Sequence, residues 1–122
     1  MRRLIYEQIK AWGCKAERKP LIVLGARQVG KTYALKYCGE KFFPNYHYVN
    51  FEKNIPLHEI FDYDLDPLRI IQELERKLKV TINIKTDLLV FDEIQACPKA
   101  ITSLKYFCED MPELALASAG SL

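Results

Sequence analysis

Lys19-Pro20-Leu21-Ile22-Val23-Leu24-Gly25-Ala26-Arg27-Gln28-Val29-Gly30-Lys31-Thr32 is the stretch on which the reading of the fold turns. Leu21 to Leu24 is an unbroken apolar run with a proline before it and a glycine after it, the pattern of a strand buried on both faces. From Lys31 to about Glu40 a helix is expected, with Leu35, Tyr37 and Cys38 facing inward. Between strand and helix, Gly25 to Thr32 matches G-x-x-x-x-G-K-[ST] in full. A strand, a glycine loop and a helix start, in that order, aim backbone N–H groups at phosphate. Gly25 and Gly30 allow backbone angles and a close approach that a Cβ would block. Lys31 brings a point charge to the β- and γ-phosphates, and the Thr32 hydroxyl suits Mg²⁺. Ala26, Arg27, Gln28 and Val29 within the loop, and Tyr33 just after it, complete the expected nucleotide-binding set. Arg27 either touches phosphate or turns outward to pair with an acid.

A second apolar run, Leu88-Leu89-Val90-Phe91, ends on Asp92-Glu93, 61 residues after Lys31. Such a pair following a complete phosphate loop reads as the Walker B element. Asp92 would hold a water of the Mg²⁺ shell, and Glu93 would orient and deprotonate the attacking water. Ser118 and Ser121 follow a final strand at Leu114–Ala117. Ser121 is preferred as a catalytic partner because it falls just beyond that strand, with a turn or capping serine as the alternative. Asn50 and Glu52 read as a satisfied strand-end polar pair that could also reach the Mg²⁺ water shell. Gln95 reads either as a loop or capping residue or as a sensor of the γ-phosphate or of a neighbouring subunit. Trp12, His47 and His58 read as ordinary structural positions.

The remaining elements follow from periodicity. Leu4, Ile5, Ile9 and Trp12 mark an amphipathic helix over residues 2–12. His47 to Phe51 is a strand by its aromatic and branched residues. Pro56 and Pro67 bracket an acidic loop with a short helix near Leu57–Phe61. Asp66-Pro67 then starts a helix to about Lys79, with Leu68, Ile71, Leu74 and Leu78 on one face. Val80 to Ile84 fits a short strand or a connecting loop equally. Pro98 opens a helix with Ile101, Leu104, Phe107 and Cys108 as its apolar stripe. Strands alternating with helices give an α/β fold of the P-loop NTPase type, a mostly parallel sheet flanked by helices. The whole of residues 1–122 is expected to be one nucleotide-binding core, with 1–19 as lead-in and 20–122 as the α/β unit. The sequence stops where an active-site loop would begin, so the core is expected to be truncated, continuing past Leu122.

Composition narrows the field. At 122 residues, 49% hydrophobic and 28% charged, the chain has the makings of one folded domain rather than two or of a disordered segment. No apolar run approaches the roughly 18 residues of a membrane span, and no signal-peptide core follows Met1-Arg2-Arg3. The net charge of +2 hides an asymmetry: nine Lys/Arg and two Glu in residues 1–36, nine Lys/Arg and fourteen Asp/Glu after them. Arg2, Arg3, Lys10, Lys15, Arg18 and Lys19 could attract nucleic acid, but without interleaved aromatics they read as solvated surface. Cys14, Cys38, Cys97 and Cys108 form no Cys-x-x-Cys pair and lie far from both histidines, which leaves a zinc site without spacing support. Reduced structural thiols in a cytoplasmic protein fit best.

Taken together, residues 19–32, Tyr48-Val49-Asn50-Phe51-Glu52, Leu89-Val90-Phe91-Asp92-Glu93-Ile94-Gln95 and Ala119-Gly120-Ser121-Leu122 resemble the AAA+-like ATPases of bacteria and archaea that carry a C-terminal domain of unknown function. The resemblance covers nearly the whole chain. It implies a sheet in which the Walker B strand is not adjacent to the Walker A strand, Lys31 and Thr32 on the nucleotide, and Asp92 and Glu93 on Mg²⁺ and water. Tyr33 stands where many relatives have a second Thr. Relatives continue into a further core strand, a possible arginine finger, a second sensor and the C-terminal domain.

The expected function is binding of Mg·ATP and, in the intact protein, hydrolysis to ADP and phosphate, with homo-oligomerisation possible. A nucleotide-gated interaction module with little hydrolysis and a small-molecule phosphotransferase are the alternatives. The phosphotransferase is disfavoured because Glu93 supplies a base for water and no Arg-rich lid is visible.

Overall fold

The computed structural model describes residues 2–14, 18–25 and 29–121, leaving aside the side chains of residues 2–5, 24, 25, 29, 31 and 121. Helix α1 (Arg2–Gly13) leads to strand β1 (Leu21–Gly25), helix α2 (Val29–Phe42) and strand β2 (Tyr46–Asn50). A 3-10 turn (Ile55–Glu59) and the short α3 (Ile60–Tyr63) precede α4 (Pro67–Leu78). Strand β3 (Leu88–Asp92), a second 3-10 turn (Ile94–Ala96), α5 (Pro98–Asp110) and β4 (Ala115–Ser121) complete the described chain.

All described strand pairs are parallel, in the order β1-β4-β3-β2. This is an α/β fold of the kind expected, and β3 is separated from β1 by β4. Because the strands run the same way, their C-terminal ends share one rim, with Asn50 opposite Asp92 and Gly25 opposite Ser121. Side chains alternate between the two faces of the sheet. Leu88, Val90, Ala115, Ala117 and Ala119 pack with Ile9, Leu35 and Cys38 of α1 and α2. Leu89, Phe91 and Leu116 pack on the opposite face with Phe61, Ile70, Leu74 and Phe107. There Phe51, Phe61 and Phe107 meet Phe91 edge-on at 5.2, 5.9 and 6.3 Å between ring centres, the arrangement the ring quadrupoles favour.

Several expectations need correction. Strand β1 is hydrogen-bonded to β4 alone among the described strands, so it lies at the edge and Ile22 is 48% exposed rather than buried. Tyr37 faces outward, stacked between Tyr6 and Tyr33 on the surface of α1 and α2. In α4 the buried side is Pro67, Ile70, Ile71 and Leu74, which leaves Leu68 exposed. Helix α5 seats on the sheet through Ala100, Ser103, Leu104 and Phe107, so Ile101 is exposed and Cys108 is only half-buried. Ser103 tolerates the interior because its hydroxyl donates to the Ala100 carbonyl at 2.6 Å. The final strand runs to Ser121, taking in Ser118 and Ser121, both expected to lie beyond it.

Residues 80–87 form a loop, not a strand, and carboxylates hold its backbone. Glu75 accepts from the Ile82 N–H at 2.8 Å and Asp87 from the Asn83 N–H at 3.0 Å. His47 Nε2 lies 2.9 Å from Asp87 Oδ2, tying this loop to β2. Trp12 donates its indole N–H to the Lys19 carbonyl, joining α1 to the lead-in of β1. Among the described residues all four cysteines are free, with Cys38 and Cys97 buried. No described helix is long and apolar enough to cross a membrane.

Candidate functional site

The rim at the C-terminal ends of the strands, where α/β sheets place their ligands, gathers Thr32, Tyr48, Asn50, Asp92 and Glu93. Helix α2 starts at Val29, immediately after the loop, so its first N–H groups have no partner within the helix. Gly30 lies in that first turn, and a Cβ built there meets no heavy atom of the described residues within 4 Å. Among the described residues, nothing fills the space that a side chain at Gly30 would enter.

Thr32 donates from Oγ1 to Asp92 Oδ2 at 2.7 Å, joining the start of α2 to the end of β3 across 60 residues of sequence. Asp92 is nearly fully buried. Its other oxygen, Oδ1, accepts the Glu93 N–H at 2.9 Å. Asp92 Oδ2 also accepts the Tyr48 hydroxyl at 2.5 Å. Burial first, and then the hydrogen bond to Asp92, push the Tyr48 phenol up to about 12, so it keeps its proton throughout the physiological range. Asn50 donates from Nδ2 to Tyr48 Oη at 3.3 Å, while its Oδ1 accepts from the N–H groups of Glu52 and Lys53. Asn50 therefore satisfies the turn after β2, the structural half of the two readings made for it.

Glu93 leaves the strand in the left-handed region, at φ 51° and ψ 46°, a conformation uncommon outside glycine. Gln95 donates from Nε2 to Glu93 Oε1 at 2.8 Å, so its described partner is the neighbouring acid. The Tyr33 ring lies on the α1–α2 surface, 57% exposed and stacked on Tyr37. Ser118 is fully buried, opposite Phe91, and its hydroxyl has no hydrogen-bond partner among the described residues. Ser121 is the last residue of β4, paired with Gly25, the last residue of β1. It closes the strand rather than following it. Ala26, Arg27 and Gln28 lie outside the described residues, as do the side chains of Gly25, Val29, Lys31 and Ser121.

Tyr48 is the residue that sequence reasoning missed. The signal was the two-residue period of β2, which puts Tyr48 on the same face as Asn50. What pairs that face with Asp92 is the β2–β3 register, which has no local signature.

The donors assembled here are oxygens of a hydroxyl and a carboxylate, the chemistry of a hard divalent cation. Among the described residues no group of three or more His, Cys, Asp or Glu side chains gathers as a self-contained metal cage. The profile of a family described as AAA domain matches residues 17–122, and the chain belongs to that family. The family is one of nucleotide-binding domains of the ATPase type. No curated protein matches the chain.

Proposed function

We propose that the chain binds Mg·ATP between the loop at Gly25–Thr32 and the β3 terminus at Asp92-Glu93, and that the intact protein hydrolyses it to ADP and phosphate. The observation that carries this reading is the 2.7 Å bond from Thr32 to Asp92, which brings the hydroxyl of one motif to the carboxylate of the other. The space that the described residues leave open at Gly30 supports it, since a phosphate approaching the start of α2 needs room there.

Thr32 and Asp92 would hold the Mg²⁺, directly or through its water. When bound, that ion neutralises charge on the β- and γ-phosphate oxygens. Lys31 adds a fixed positive charge to the same oxygens, and the N–H groups at the start of α2 receive them. Glu93 orients a water and takes its proton as the water oxygen bonds to the γ-phosphorus and the bond to the β-bridging oxygen breaks. Most of the acceleration comes from positioning and charge. Ser121 contributes a hydroxyl beside the loop. Self-association and a cytoplasmic setting belong to the same proposal.

A second reading, a nucleotide-gated module that turns over slowly, draws on the Gln95–Glu93 contact, which occupies one oxygen of the base. Calorimetry with Mg·ATP, alongside phosphate release, tests both. Lys31→Ala is expected to abolish binding. Glu93→Gln is expected to keep binding and to lower phosphate release about 10²–10⁴-fold. Binding unaltered by Lys31→Ala would refute the reading, and binding without phosphate release by the wild type would favour the gated module.

A further inference from the structure

We propose that Tyr48 is a positioning residue for the cation side of this site: its hydroxyl fixes the orientation in which Asp92 faces Thr32. The inference rests on the Mg·ATP reading above. Among the described residues, Asp92 is held by three donors from different parts of the fold. The Glu93 N–H takes Oδ1, at 2.9 Å, while Thr32 of α2 and Tyr48 of β2 share Oδ2, at 2.7 and 2.5 Å. Thr32 and Glu93 both belong to segments that must respond to nucleotide. Among the described donors Tyr48 comes from outside them, on a strand whose register with β3 sets Asn50 against Asp92.

The tyrosine is itself held. Asn50 donates to its oxygen at 3.3 Å, which occupies a lone pair and leaves the phenolic proton for Asp92. Lys36, one turn after Thr32 on α2, puts its ammonium 4.1 Å from the centre of the Tyr48 ring, within the range of a cation–π contact. Helix α2 therefore grips both ends of the unit, Thr32 at the carboxylate and Lys36 at the ring. A tyrosine that served only to fill the core would need neither the aimed hydroxyl nor the shared acceptor. Outer partners that orient metal-binding carboxylates typically change metal affinity by about 10–100-fold when removed.

The test is Tyr48→Phe in the full chain, which keeps the ring and removes the hydroxyl. ATP affinity is measured by calorimetry with Mg²⁺ and again in excess EDTA, and stability by thermal unfolding. The gain in affinity conferred by Mg²⁺ is expected to fall about tenfold, with affinity in EDTA within about twofold of wild type. Should Tyr48→Phe fail to fold, Lys36→Met loosens the ring from the surface and is expected to lose part of the same Mg²⁺-dependent gain. An equal loss with and without Mg²⁺, or no loss, would overturn the proposal. Thr32→Ala and Asp92→Asn run in parallel separate the two levels. If they lose the Mg²⁺ gain while Tyr48→Phe keeps it, only the role of Tyr48 fails. If all three keep it, the metal reading fails and the role of Tyr48 with it.

Discussion

Asp87 shows how much one buried carboxylate organises in this protein. It is 2% exposed and accepts from the Asn83 N–H, the Thr86 hydroxyl and the His47 ring. Burial works against its ionisation, but the hydrogen bonds from His47 and Asn83 outweigh that and hold it below the ordinary carboxylate value of 3.8. A carboxylate depressed in the folded state contributes stability that is fully present above its unfolded pKa, and that stability is lost as the pH falls through the folded value. The contribution is therefore complete at neutral pH and disappears below about pH 4. Asp87→Asn is expected to cost about 1–3 kcal/mol at pH 7 and to shrink that difference toward pH 3. Urea midpoints for both proteins across this range check it, and a difference independent of pH would exclude the assignment. Of the candidate site, the meeting of Thr32 with Asp92 was legible from motif spacing. Tyr48 was not, because a phenol two residues before a strand end carries no mark of what stands on the next strand.

At the scale of elements, helix α2 is set so close to β2 that one position leaves no room for a methyl group. A Cβ on Gly39 would lie 2.7 Å from Cγ and 2.8 Å from Cβ of Tyr46. Those atoms sit at the root of the side chain, so relief requires moving the strand or the helix. Alanine is the better helix former by about 1 kcal/mol, yet overpacking costs about 1–3 kcal/mol. Gly39→Ala is accordingly expected to destabilise the protein by about 1 kcal/mol, and a variant more stable than wild type in chemical unfolding would contradict this packing. Such intimacy is invisible to periodicity. The same holds in α5, where hydrophobicity favours Ile101 over Ser103 for the interior, while the seat of the helix turns Ala100 and Ser103 inward. Type and approximate span of each helix were readable because proline and glycine punctuate them. The inward face depended on which residues are small enough to lie against the sheet.

For the whole molecule, the core on the α4–α5 face converges on Phe91, which is fully buried among Phe51, Phe61 and Phe107. Phe91 immediately precedes Asp92, so packing on one face of the sheet positions chemistry on the other. Phe91→Ala is expected to cost about 3–5 kcal/mol, a large share of the roughly 5–15 kcal/mol typical of a domain, and to weaken nucleotide binding along with it. Binding retained at wild-type strength in a variant so destabilised would show the two faces to be independent. The alternation of strands and helices made the parallel sheet legible from residue types alone. That β3 does not adjoin β1 came only through family resemblance, and the full strand order came from the structure, since no local feature of Leu21–Gly25 names its neighbour.

That neighbour has a consequence for how the protein is made. Strand β1 pairs with β4, with Leu21 against Ala117. A chain emerging from the ribosome at about 5–20 residues per second exposes Leu21–Gly25 roughly 5–20 s before its partner has been synthesised. During that interval the apolar β1 has helices to lean on but none of the described strands to bond. Strand β1 is thus made well before the strand that it bonds, and nascent chains ending before Ala115 are expected to remain open to protease at β1.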